Sequence, residues 1–178
     1  MVHVALLRGI NVGGKNKVDM KQLKAVFENA GMRDVTTYIN SGNVVFSSTI
    51  RSRARLAGLL EGAVSDGFGF GVPILVRDAG NMRTVVGTIP DRWVNDAAMR
   101  CDVMFLWSDV ARPSVMKQLV IKPEIEEVRY APGALIWRVD RDAVTRSGMM
   151  KLVGTPLYKR MTIRNCTTTR KLLTLMER

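Results

Sequence analysis

The segment from residue 8 to residue 17 carries the residue types best suited to binding an anion. It combines glycines, asparagines and basic side chains directly after an apolar run of strand length. Glycines let the backbone approach a ligand, and successive amides can form an anion-binding nest. The alternative is that the glycines only form tight turns, since the segment matches neither GxxxxGK[ST] nor GxGxxG. The candidate ligand-binding residues are Arg8, Gly9, Asn11, Gly13, Gly14, Lys15 and Lys17.

A second candidate is the polar turn at residues 40–43, from which we select Ser41, Gly42 and Asn43. In a βαββαβ fold the first and third strands are central neighbours. The loop after strand 1 and the turn before strand 3 should therefore lie at the same end of the sheet, with Arg8 and Asn11 near Ser41 and Asn43. The alternative is a plain hairpin turn, which a Ser-Gly-Asn sequence forms without help.

A third candidate lies near the C-terminus and consists of Arg164, Asn165 and Lys171. If Asn165 caps the last helix, Lys171 lies within two turns of the cap. We predict that this group, the loop and the turn converge on one anion-binding cleft. The alternative is a helix cap followed by a solvated basic helix.

Residues for metal or acid–base chemistry are few. The chain has one histidine, His3, which lies in an apolar strand and is expected to pack rather than to catalyse. Cys101 and Cys166 are far apart in sequence and lack CxxC spacing, so we predict reduced thiols and no standard zinc site. We expect no metal and no cofactor, and we leave open whether the protein is an enzyme.

Hydrophobic patterning and turn signals predict an α+β protein made of two ferredoxin-like halves, each βαββαβ, plus a C-terminal helix. The predicted domains are residues 1–77, with the glycine-rich loop, and residues 78–178, with the basic C-terminal helix. In the first half Asp19 begins a helix in a variant capping box. The predicted strands cover residues 2–7, 35–39, 44–46 and 72–76. In the second half we predict strands at 103–107, 125–130, 134–139 and 161–164, and short helices at 81–86, 113–120 and 149–157.

Three motifs resemble those of a widespread bacterial family of unknown function. They are LLRGINVGG at residues 6–14, YINSGN at 38–43 and RN-x-x-T-x-x-KL at 164–172. The family usually has YIQSGN in the second motif and a Trp-Asn pair where this chain has Cys166 and Thr167. The resemblance implies two α/β-plait domains and a bacterial origin, and it implies no activity.

The charge distribution points to an anionic partner. The chain has 27 basic and 16 acidic residues, a formal net charge of +11, and residues 146–178 include eight basic residues and one acid. Such a surface suits nucleic acid or a phosphorylated small molecule. A sequence-specific RNA-recognition segment is absent. We see no signal peptide and no apolar run long enough to cross a bilayer, so we expect a cytoplasmic protein without a membrane partner. The alternatives to phosphate binding are a small-molecule enzyme that uses the same loop and an interaction module with no site.

Overall fold

The computed structural model describes all 178 residues, and the first half has the element order β-α-β-β-α-β. Its elements are β1 (Val2–Leu7), α1 (Met20–Asn29), β2 (Arg33–Tyr38), β3 (Asn43–Ser47), α2 (Arg53–Phe68) and β4 (Ile74–Asp78). All strand pairs are antiparallel, in the order β2-β3-β1-β4. This is the strand order of a ferredoxin-like sheet.

The second half repeats this arrangement with 3₁₀ helices in place of the two α-helices between the strands. Its elements are α3 (Ala79–Thr88), β5 (Met99–Leu106), β6 (Glu126–Ala131), β7 (Ala134–Asp140), β8 (Met161–Asn165) and α4 (Cys166–Met176). Four 3₁₀ helices lie between them, at Pro113–Gln118, Arg141–Arg146, Gly148–Leu152 and Tyr158–Arg160. The sheet order β6-β7-β5-β8 is the same pattern as in the first half, so the predicted α+β fold of two ferredoxin-like halves is confirmed.

The chain divides into two compact units. One comprises Met1–Gly80 together with Leu172–Arg178, and the other comprises Asn81–Lys171. The C-terminal seven residues therefore group with the first unit, which differs from the predicted second domain of residues 78–178. None of the helices has the length and apolar character needed to cross a bilayer.

The core of the first unit is formed by one face of its sheet and by helices α1 and α2. Leu23 and Phe27 of α1 and Leu56 and Leu60 of α2 are fully buried. Helix α1 begins as predicted, because the Asp19 carboxylate accepts a hydrogen bond from the amide of Gln22 at 2.8 Å. This cap satisfies one of the amides that lack a partner in the first turn of a helix.

The core of the second unit includes Trp137 on β7 together with buried residues from β5, β8 and the 3₁₀ segments. Pro113 is the first residue of its helix, as expected, but that helix is a 3₁₀ helix ending at Gln118. The helix predicted over 149–157 is likewise a short 3₁₀ helix, Gly148–Leu152. Short 3₁₀ segments are frequent as connectors, and these two lie between β5 and β6 and between β7 and β8.

Strand β2 ends at Tyr38, one residue earlier than predicted. Ile39 has φ of 49°, in the left-handed region, and this conformation cannot continue a strand. The predicted hairpin between β2 and β3 is present and turns through Gly42, whose φ is 78°.

Candidate functional site

The loop after β1 folds as a tight hairpin. The amide of Asn11 donates to the Asn16 carbonyl and the amide of Lys15 donates to the Val12 carbonyl, each at 3.1 Å. Gly13 and Gly14 have φ of 58° and 75°, as a two-residue type I′ turn requires. These glycines therefore form a turn, and the positive groups that the loop presents to solvent are lysine side chains.

The Asn11 side chain holds this hairpin in place. Its amide donates to the Val18 carbonyl at 3.0 Å and to the Asn40 carbonyl at 2.9 Å, and its oxygen accepts from the Val18 amide at 2.8 Å. One side chain thus joins the start of the loop, its end and the β2–β3 turn.

The loop and the β2–β3 turn lie together at one end of the sheet, which is the position that the topology predicted. The Leu7 amide donates to the Gly42 carbonyl at 2.8 Å. A Cβ atom at Gly42 would lie 2.7 Å from Ile10 Cδ1 and from Leu7 Cβ, so the contact depends on glycine. The side-chain amide of the buried Asn43 donates to the Tyr38 carbonyl and to Ser41 Oγ, and these two hydrogen bonds stabilise the turn.

An open groove of about 660 Å³ lies beside the loop, between its distal half and the first turn of α1. Two of its lining residues are lysines, Lys17 and Lys21, and both are exposed and form no ion pair with the chain. Asp19 is the one carboxylate in the lining, and it is engaged as the helix cap. The groove is lined by Asn11, Gly14, Lys17, Val18, Asp19, Met20, Lys21 and Asn40.

Three of the residues that the sequence singled out in the loop line this groove, namely Asn11, Gly14 and Lys17. Lys15 is exposed and follows the lining residue Gly14, and the backbone amide of Arg8 donates to the Pro73 carbonyl at 3.0 Å. Lys21 was not among the predicted residues. Its position in the first turn of the predicted helix, directly after the loop, is the signal that would have identified it.

The third predicted group, Arg164, Asn165 and Lys171, belongs to the second unit. Arg164 is buried, and burial lowers the pKa of its guanidinium to about 10. Its Nη1 donates to Thr162 Oγ1 at 3.0 Å and to the Ile163 carbonyl at 2.8 Å. Asn165 caps α4 as predicted, because its side-chain oxygen accepts from the Thr168 amide at 2.7 Å. Convergence of this group with the loop stays a prediction.

A buried carboxylate in the second unit was not singled out from sequence. Glu126 Oε1 accepts from the amides of Lys122 and Gly148, and Oε2 accepts from Trp137 Nε1 and Ser147 Oγ. Burial alone would raise the pKa of Glu126, but these hydrogen bonds outweigh burial and lower it. The network ties β6 to β7 and to the 3₁₀ segment at Gly148–Leu152, so its role is structural.

Cys101 and Cys166 are buried free thiols, and the fold brings them together despite their separation in sequence. Asp102 pairs with Asn165 in the antiparallel β5–β8 ladder. Cys101 precedes Asp102 and Cys166 follows Asn165, so the two cysteines are opposite one another at the end of this ladder. Their side chains hydrogen-bond to each other, and this bond together with burial raises the pKa of Cys101. The reduced state of this pair stays a prediction, which a thiol titration of the unfolded protein tests. The structure places no group of three His, Cys, Asp or Glu side chains where they could share a metal ion.

The protein thus belongs to the class of α+β proteins with two ferredoxin-like halves, and its first half carries a groove lined by two lysines. Over residues 1–137 the sequence matches the family model described as "Protein of unknown function (DUF1697)", and the chain belongs to this family. The structure is similar to that of the conserved bacterial protein SP0830 from Streptococcus pneumoniae. The two share 29% sequence identity over 98% of each chain, with a TM-score of 0.83. No curated protein matches the sequence. The predicted resemblance to a family of unknown function is confirmed.

Proposed function

We propose that this protein binds a phosphate-bearing partner, a nucleic acid or a nucleotide-like ligand, in the groove beside the loop of residues 8–17. The observation that supports the proposal most is the pair Lys17 and Lys21, two lysines without an ion-pair partner that line a groove of about 660 Å³. Ammonium groups bind phosphate as point charges. A groove of this volume is within the range of about 300–1,000 Å³ typical of small-molecule sites.

The shape of the groove supports binding because its walls are held by hydrogen bonds. Asn11 links the loop to Val18 and to Asn40, so the wall beside Lys17 is fixed before a ligand arrives. A preformed wall reduces the ordering cost of binding. The lining holds two lysines and one carboxylate, that of Asp19, which accepts a hydrogen bond from the Gln22 amide, so the lysines outnumber the acid.

Two further groups of predicted residues belong to the proposal. Lys15 and Arg8 extend the positive charge along the loop. Arg164, Asn165 and Lys171 are proposed to contribute to anion binding. The substitution Lys171→Glu should then weaken the binding of pyrophosphate.

The test is a calorimetric titration with inorganic pyrophosphate at low ionic strength. The double variant Lys17→Glu, Lys21→Glu should lose binding, because it replaces two attractive charges in the groove by two repulsive ones. Lys24→Glu, Lys117→Glu is the control with the same change in net charge, because Lys24 lies one turn further along α1, where it pairs with Glu28 at 3.8 Å, and Lys117 is exposed in the second unit.

Equal loss in the control and the double variant would show that overall charge, and not the groove, binds the anion. Absence of pyrophosphate binding to the parent protein would overturn the proposal and favour an interaction module. Hydrolysis of an added phosphate ester by the parent protein, lost in the double variant, would instead favour a small-molecule enzyme.

A further inference from the structure

Two exposed apolar side chains belong to residues next in sequence to the lining of the groove. Val12 is 68% exposed and Ile39 is 50% exposed, and they belong to a small set of large apolar residues that the chain leaves on its surface. Each is adjacent in sequence to a lining residue, since Asn11 and Asn40 line the groove. The Asn11 side-chain amide donates to the Asn40 carbonyl, so Val12 and Ile39 belong to two segments that are in contact.

Ile39 is unusual in its conformation as well as in its exposure. Its φ is 49°, and a β-branched residue in the left-handed region is a conformational outlier. Asparagine or glycine would adopt this conformation with less strain. The backbone conformation therefore disfavours isoleucine here, and such outliers are concentrated at functional sites.

We propose that the groove binds a nucleotide, with its phosphates at Lys17 and Lys21 and one face of its base against Ile39 and Val12. This inference rests on the proposed function and names its ligand class. Lysines alone would bind any phosphate, whereas the apolar side chains of Val12 and Ile39 stabilise only a ligand that has an apolar face. The side chain of Met20, which lines the groove, adds a further apolar surface. A planar base joined to a phosphate has both features, and a sugar phosphate or inorganic phosphate has only one.

The size of the groove supports the same ligand class. A volume of about 660 Å³ is far larger than a phosphate group needs. The groove is also bounded, by the loop on one side and by the first turn of α1 on the other. A groove limited in this way suits a mononucleotide, whereas a nucleic-acid strand needs a surface that continues along its backbone.

The experiment compares pyrophosphate, ribose 5-phosphate and ADP by calorimetry on the full chain. We expect ADP to bind at least about tenfold more tightly than the other two, which is the effect of covering one flat apolar face. The variant Val12→Ser, Ile39→Asn should lose this preference while its pyrophosphate affinity changes by less than about twofold. Asn is chosen because it tolerates positive φ, so an unchanged or raised melting temperature will show that the variant folds.

The control is Val94→Ser, which removes an exposed apolar side chain from the second unit and should alter neither affinity. If pyrophosphate binds in the groove and ADP binds no more tightly, the nucleotide inference is wrong and the proposed function stands. If no phosphate compound binds, both fail together. If an oligonucleotide without terminal phosphate binds more tightly than ADP and depends on Lys17 and Lys21, the partner is a nucleic acid and the inference is overturned.

Discussion

At the scale of single residues, the Glu126 carboxylate is a buried polar group that is held by four hydrogen bonds. Each of its oxygens accepts two hydrogen bonds, from donors on Lys122, Trp137, Ser147 and Gly148. Buried carboxylates persist in folded proteins when their hydrogen bonds compensate the cost of burial. Glu126 meets this condition through neutral donors alone.

Glu126→Gln should destabilise the protein by about 3 kcal/mol, because either orientation of the glutamine amide places its NH₂ group against two donors. Glu127→Gln is the control, because Glu127 is 46% exposed on the next position of the strand and pairs with Arg129. We expect the control to lose less than about 0.5 kcal/mol. Urea unfolding at neutral pH measures both.

The pH dependence of the Glu126 effect follows from its lowered pKa. The carboxylate stabilises the fold above its unfolded pKa, about 4.3, and that contribution is lost as pH falls through the lower folded pKa. The difference between the parent protein and the variant should therefore shrink in acid. A difference that is constant from neutral pH to about pH 3 would contradict this account.

His3 should make the fold sensitive to mild acid. The side chain is fully buried and stacks on Phe46 at 5.7 Å. Burial lowers its pKa below 6.5, with the N-terminal ammonium group and Arg53 acting in the same direction and Asp78 opposing them. The unfolded state then binds a proton that the folded state resists, so stability falls as pH drops below about 6.5.

His3→Leu should flatten this pH dependence. Its melting temperature should fall less than that of the parent protein between about pH 7.5 and about pH 5.5, on either side of the ordinary histidine pKa. Ile74→Val, a non-titrating change in the same sheet, should lower the melting temperature equally at both pH values. Parallel curves for His3→Leu and the parent protein would show that His3 does not titrate in this range.

At the scale of elements, the contact between the loop at 8–17 and the β2–β3 turn positions the groove. Gly42 is the critical residue, because its φ is 78° and a Cβ atom would approach Leu7 and Ile10 to 2.7 Å. The loop carries Lys17 and the turn carries Asn40, so this close packing sets the distance between two walls of the groove.

Gly42→Ala should cost about 3 kcal/mol, the sum of a left-handed backbone penalty and overpacking. Gly14→Ala is the matched control, because its φ is 75° and a Cβ atom there meets nothing within 4 Å. The control should cost about 1–2 kcal/mol, from the backbone alone. Equal losses in denaturant unfolding would show that the turn can move away from the loop.

At the scale of the whole molecule, the net charge of +11 should produce weak binding to any nucleic acid. We expect a labelled DNA duplex to bind at about 50 mM salt and to lose at least about tenfold in affinity at about 200 mM, because phosphate contacts release counterions. Fluorescence anisotropy measures this. The variant Lys17→Glu, Lys21→Glu should change the affinity only modestly, since it alters two of 27 basic residues. A complex that persists at the higher salt and requires both lysines would point to nucleic acid as the partner in the groove.

The sequence by itself determined the features that depend on local signals. Apolar patterning and turn residues predicted the order βαββαβ in both halves, and Asp19 and Asn165 were identifiable as helix caps from their positions. The shared end of the sheet for the loop and the turn followed from topology. These features require only neighbouring residues and the rules by which strands connect.

Only the tertiary structure decided which residues meet. It shows that Gly13 and Gly14 form a hairpin turn, that Lys21 lines the groove and that Asn43 is buried as a brace. It also brings Cys101 beside Cys166 and surrounds Glu126 with four donors. The physical reason is that strand register and chain packing set these contacts. They arise between residues that are distant in sequence, where local propensity and spacing carry no information.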